Sequence, residues 1–219
     1  MRRILIVGGG GFGRELYGYI KSDIAAGRLS NHVQVGVLDD NPECELVAKL
    51  PEVIYFGSLT NYETKGDEVV LIAIGNAHVR FKAFNQVEEK GLSLFTFVHA
   101  SALVMPDATL GQGVIICPNT IVNAGAHVGD NVAVNVFCSI GHGARIGAHS
   151  VLSPYSAMSG DSSLGECSFM GTRATLFPRV SMGRGGVVDS HSTVKQSVGN
   201  NMIVSVRGEY LVVANRMNR

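Results

Sequence analysis

The 219-residue chain has few aromatic side chains, 7 %, and no excess of either charge, with 18 Lys and Arg against 18 Asp and Glu. That balance excludes a charge-driven grip on nucleic acid or an anionic membrane, although a small anionic ligand needs only a local basic patch. No run of about eighteen apolar residues occurs, so no membrane insertion is expected. Behind Met1-Arg2-Arg3 the apolar run is four residues long before glycine interrupts it, too short for a signal peptide. The four cysteines form no C-x-x-C and no disulfide-framework spacing, which points to a reducing cytoplasm. What the chain does have is 46 % hydrophobic residues, enough for a real core, and 27 glycines. Many glycines with few aromatics suggest a repetitive β architecture.

The first ninety-odd residues alternate between strand and helix patterns. Ile4 to Val7 run into Gly8, Gly9, Gly10 and Gly11, then Phe12 and Gly13, which satisfies G-x-G-x-x-G directly after a strand. A helix follows, with Leu16, Ile20 and Ile24 on one face. "VQVGVLDD" is a second strand ending in Asp39 and Asp40, and "EVVLIAIGN" a third ending at Gly75-Asn76. "AHVRFKAFNQVEEKG" reads as another helix. A dinucleotide fold needs two βαβαβ halves, and only one fits before Val98. The glycine loop can cradle a diphosphate on backbone N–H groups, but mononucleotide recognition suits the size better than NAD.

From Val98 the period changes to six. Seventeen uninterrupted hexads carry an aliphatic residue or Met at the first position, from Val98 and Val104 through to Val194. The fifth position is always small or of Val size, as in Ala126, Cys138, Ser156 and Val180. Two inward positions separated by one residue describe a short strand, so positions two to four must turn a corner. Pro106, Pro118, Pro154 and Pro178 all fall on position three, where a fixed φ suits a bend. The pattern predicts a solenoid of stacked coils. His142 is also a third-position residue, exposed at an edge of the prism in one column with Pro106, Ala124, Gly160 and Pro178. Cys138, at an inward fifth position, reads as core rather than nucleophile.

With "GGGGFGRE", "VGVLDDNP", "IAIGNAHVR", "FTFVHASALV" and "IGHGARIGAHSVLSP" in this order, the chain resembles the nucleotide-sugar acyltransferases among the hexapeptide-repeat transferases. That group includes sialic acid O-acetyltransferase and bacterial aminosugar N-acetyltransferases. The resemblance implies a small Rossmann-like α/β domain over 1–97, a left-handed parallel β-helix over 98–205 and a C-terminal tail over 206–219. It implies a cytoplasmic homotrimer with sites at subunit boundaries, transferring an acetyl group from acetyl-CoA to the amino group of a nucleotide-linked deoxysugar for bacterial surface glycans such as O-antigen. O-acetylation of a sugar such as sialic acid is the alternative within the family. Gly10, Gly11, Phe12, Asp39, Asp40, Gly75 and Asn76 would then line the nucleotide-sugar crevice, and Asn135 matches an asparagine of the pattern.

His142 stands where the family carries its general base, and neutral imidazole can accept the proton of an attacking amine near pH 7. The acids that commonly bracket this base are replaced by Gly141 and Gly143, so Asp161, one coil later, or an acid of a neighbouring subunit would orient the ring. The CoA-contacting histidine expected nine residues after the base is Val151 here, with His149 two before it. Both join Thr172, Ser190, Arg179 and Lys195 as acyl-CoA candidates, with Arg173 and Arg184 as further phosphate partners. The usual ending of the family is replaced by "VSVRGEYLVV". No metal is expected. Two other classes compete: a trimeric metalloenzyme of carbonic anhydrase type using His142 and His149, and a non-catalytic nucleotide-sugar scaffold.

Overall fold

The computed structural model describes residues 3–206. The N-terminal part contains strands β1 (Arg3–Val7), β2 (Gln34–Leu38), β3 (Ile54–Tyr55), β4 (Glu68–Ile72) and β5 (Ser93–Leu94). They form a parallel sheet in the order β3-β2-β1-β4-β5. Helices α1 (Gly11–Ala25) and α2 (Glu45–Lys49) cover one side, where Ile4 and Ile6 pack with Leu16, Ile20 and Leu46. Helix α3 (Ala77–Glu89) covers the other, where Leu5, Val7 and Ile72 meet Ala83, Phe84 and Val87. Burial on both faces is why these strands read as unbroken apolar runs. The strand order reverses between β1 and β4, and a crevice opens there at the carboxyl ends of the strands.

From Phe97 the chain winds as a left-handed parallel β-helix of two-residue strands, β6 (Phe97–Val98) through β23 (Ile203–Val204). They stack into three sheets of seven, six and five strands. Face one includes Ala133–Val134, face two Ser139–Ile140 and face three Arg145–Ile146. Ile140 pairs with Met158 and Ile146 with Leu164, so one coil is three hexads. The last coil is shorter, pairing Val187 with Ile203.

First- and fifth-position side chains fill the prism, as Val122, Val134 and Ile140 do with Ala126, Cys138 and Ala144. Buried fifth-position hydroxyls are satisfied by neighbouring coils: Ser150 Oγ donates to the Gly165 carbonyl at 2.8 Å and Ser168 Oγ to that of Gly183 at 3.1 Å. At the corners the fifth N–H closes on the second carbonyl, as from Ala144 to Gly141 at 3.2 Å. The fourth residue takes positive φ: Phe137 +57°, His149 +63°, Asp161 +58°. Proline at the third position and a left-handed fourth residue are the requirements of a type II turn.

The N-terminal domain sits on face one. Phe12 and Ala77 pack with Ala133, Val151 and Phe169, and Ile115 and Cys117 join the core beneath α1. Arg80 of α3, fully buried, donates from Nε to the Asn131 carbonyl at 2.6 Å and from Nη1 to that of Ile72. Burial pulls its pKa down to about 9, partly opposed by the neighbouring Cys117. Asn131 Nδ2 returns a bond to the Arg80 carbonyl at 3.3 Å.

Candidate active site

At the switch point the glycines divide by role. A Cβ at Gly9 would strike the Cys44 side chain, and one at Gly13 the Gly8 carbonyl, so close packing demands both glycines. Gly10 has open space where its Cβ would be, and Gly11 has only the Glu45 carboxylate, 3.8 Å away. Gly10 is the N-cap of α1, with no side-chain cap and no acid in the first turn. The N–H groups that open this helix are therefore free to receive an anion, aided by the helix dipole. Phe12 is half-buried and packs towards face one, against Ala77, Ala133 and Val151.

Asp39 occupies the place from which dinucleotide folds read the ribose. Its carboxylate instead accepts from Gly9 N–H at 2.7 Å and Asn41 N–H at 2.9 Å, which fastens the glycine loop to the end of β2. Asn76 is similarly engaged: its Oδ1 caps α3 by accepting from His78 and Val79 N–H, both at 3.1 Å. Asp40 and Gly75 remain exposed. A cavity of about 300 Å³ lies between the ends of β1 and β2 and helix α3. Leu38, Leu59, Ile74 and Ala83 are among its apolar lining, and Asp39, Asp40, Lys82 and Gln86 its polar lining. Lys82 and Gln86 were not singled out from sequence; their i, i+4 spacing marks a shared helix face, but only the packing of α3 shows where it points.

His142 is exposed on the corner between faces two and three, with Gly143 at φ +63° behind it. Its imidazole lies over Gly160, where any Cβ would collide with the ring. The next coil fixes Asp161 by a bond from its N–H to the His142 carbonyl at 2.8 Å. The Asp161 carboxylate lies against Gly143, and no hydrogen bond joins it to the imidazole among the described residues. Arg179 follows one coil on, its N–H bonded to the Gly160 carbonyl at 3.0 Å. Lys195, on the same corner, lies 5.8 Å above the Phe177 ring. Cys138 is a core thiol: burial pushes its pKa up to about 12, and its Sγ donates to the Ser153 carbonyl at 3.2 Å.

The remaining candidates lie elsewhere. Asn135, Thr172 and Ser190 line the corner between faces one and two, and the Asn135 carboxamide oxygen accepts from Val136 N–H at 2.7 Å. On that corner Phe137 and Tyr155 stack at 5.0 Å, with Arg173 5.4 Å from the Tyr155 ring. His149 and Val151 are corrections. Val151 is buried beneath the N-terminal domain, and the His149 ring sits 4.9 Å from Phe81 and 4.7 Å from Phe84 of α3. Its Nδ1 bonds Asn131 Nδ2 at 3.1 Å, and burial, with Arg80 nearby, holds its pKa below the usual imidazole value. Covered in this way, neither residue presents a surface to an acyl donor. His142 and His149 also stand on different corners, so they make no metal pair.

Residues 3–87 match the family described as the PglD N-terminal domain. The chain is similar to the acetyltransferase domain of PglB from Neisseria gonorrhoeae, at 24 % identity and a TM-score of 0.83, covering 93 % of this chain and 96 % of that one. WeeI from Acinetobacter baumannii matches at 22 % identity and a TM-score of 0.81, over 91 % and 94 %. PerB from Caulobacter crescentus, solved with CoA and GDP-perosamine, matches at 28 % identity and a TM-score of 0.80, over 94 % and 97 %. Along more than nine-tenths of its length the chain is thus similar in fold to nucleotide-sugar acyltransferases built on hexapeptide repeats. Two variants of that perosamine N-acetyltransferase, with one histidine replaced by asparagine or alanine, were also solved with CoA and GDP-perosamine bound, each 27 % identical to this chain.

Proposed function

We propose that the protein transfers an acetyl group from acetyl-CoA to the amino group of a nucleotide-linked aminodeoxysugar. It does so in the cytoplasm, for bacterial surface-glycan synthesis. One observation carries the substrate class: likeness along 94 % of the chain to PerB, which holds CoA and GDP-perosamine. The geometry is consistent with this reading. The uncapped α1 terminus suits the diphosphate, and the apolar cavity beside it suits the base. His142 takes a proton from the amine as its nitrogen attacks the thioester carbonyl. The tetrahedral intermediate then collapses, the C–S bond breaks, and the thiolate of CoA recovers the proton from the imidazolium. Asp161, or an acid from a neighbouring copy, orients the ring.

The nucleotide crevice belongs to the domain on face one, and His142 to the corner opposite that face. A sugar held by one chain therefore meets His142 of another copy, which supports a homotrimer with sites between subunits. Exposed Leu103 (51 %) and Ile121 (40 %) on face two offer apolar surface for that contact. Arg179 and Lys195, on the His142 corner, are the acyl-CoA phosphate partners; Thr172, Ser190 and Asn135 line the adjacent corner. The deciding assay follows thiol release from acetyl-CoA with nucleotide aminosugars and their hydroxy counterparts. His142→Ala should lower turnover by about 10²–10⁴-fold with both substrates still bound. Unchanged turnover would remove His142 from the chemistry.

A further inference from the structure

We infer that Phe137 and Tyr155 of one copy form the wall that holds the His142 imidazole of the next copy, a positioning role that rests on the intersubunit acetyl-transfer site proposed above. Both residues occupy fourth positions on the corner between faces one and two, at φ +57° and +62°, and their rings stack at 5.0 Å. Each is 48 % exposed. A left-handed backbone suits asparagine or glycine, and Asn119 fills the same column one coil earlier. Large rings kept both in a strained conformation and in water mark a surface that a partner covers.

Closed symmetry identifies that partner. Beyond exposed Leu103 and Ile121, the outward side chains of face two are small: Ser139, Ala157, Thr175 and Thr193. A ring of copies that turns this strip to its axis sets the corner between faces one and two against the next copy's His142 corner. Rotation about an axis along the prisms leaves height unchanged. His142 follows Phe137 by five residues and precedes Tyr155 by thirteen within the eighteen-residue coil, so across the contact it stands between the levels of the two rings. Phe177, exposed on the His142 corner, likewise comes level with Arg173, which matches a ring to a cation. Around the level of His142 the facing corner runs through Asn135-Val136-Phe137 and Ser153-Pro154-Tyr155 and carries no carboxylate. Such a wall excludes water, fixes the ring and favours its neutral form, the one that accepts a proton. Asp161 on the His142 corner favours the charged form, while Arg179 and Lys195 beside it and Arg173 on the facing corner oppose it.

The double variant Phe137→Asn/Tyr155→Asn tests this, because asparagine relaxes the left-handed backbone and should leave each chain folded. Turnover is read at concentrations where sedimentation shows the assembled protein. There kcat should fall about tenfold or more with the KM for acetyl-CoA little changed. The acid limb of the kcat profile should move up by about half a pH unit or more as water reaches the imidazole. Tyr155→Asn alone should show the same changes at smaller size, and Phe137→Leu/Tyr155→Leu, which keeps the apolar cover, should recover most of both losses. Co-expressed in equal amount with His142→Ala chains, the double asparagine variant should exceed the mean turnover of the two alone, since about a quarter of the sites join an intact wall to an intact histidine. An acid limb that stays in place in the assembled asparagine variants, or a mixture that gives only the mean, would overturn the wall with the acetyl-transfer reading intact. A wild-type chain active as a monomer would remove the intersubunit site itself, and the wall with it.

Discussion

At the scale of single residues, function here depends on what two glycines leave open. Gly10 starts α1 without a cap, so Gly10→Asp should stabilise the helix by about 0.5–1 kcal/mol while filling the anion seat. Thermal unfolding should shift up, and nucleotide affinity should fall about tenfold or more. A parallel rise in both would show that the diphosphate binds elsewhere. Gly160 leaves room for the His142 ring, and a methyl there meets only that flexible side chain. Gly160→Ala should therefore fold normally yet lower kcat about a hundredfold by displacing the imidazole, with KM little changed. Sequence alone placed His142 on an exposed corner, because proline and the six-residue period mark corners. It could not show that Asp39 and Asn76 are engaged by backbone N–H groups, since the residue types that bind a ligand at a strand end are also those that cap helices and fasten turns.

At the scale of elements, α3 has several duties. Its N-terminus is capped by Asn76, one face borders the cavity beside the glycine loop, and another holds Arg80 and the aromatic pair around His149. Burial keeps His149 neutral with Phe81, Phe84, Arg80 and Asn131 around it, while Glu166 and Asp130 favour its charged form and Arg184 opposes it. Its folded pKa lies below the ordinary 6.5. The unfolded chain thus binds the extra proton first, and the stability from docking His149 is present above that value and lost as pH falls below it. Melting temperature measured from pH 8 to 5 should drop on the acid side, and His149→Gln should flatten that part of the curve. Arg80→Ala would strand the Ile72 and Asn131 carbonyls and open a void, costing about 2–4 kcal/mol in denaturant titration. The solenoid was legible as an element because each coil repeats the same local demand. The docking of α3 was not, because a histidine at a fourth position looks the same in sequence whether it faces solvent or a neighbouring domain.

At the scale of the whole molecule, the cavity beside the glycine loop and His142 lie on opposite sides of one prism. If catalysis joins them across copies, two impaired variants with different defects should rescue each other. Co-expressed Gly10→Asp and His142→Ala chains, mixed equally, would rebuild roughly a quarter of the sites from one intact crevice and one intact corner. At nucleotide-sugar concentrations well below KM, thiol release from the mixture above the mean of the two variants alone is the expected result; sites confined to one chain would give only that mean. The eighteen-residue coil adds a further consequence. Length changes inside the strands between the docking face and His142 are quantised: a change of one whole coil restores every side chain to its own corner, while a shorter change within a strand rotates the histidine away from the facing subunit. Lineages of this protein should therefore change length in whole coils or at corners, as the shorter last coil does.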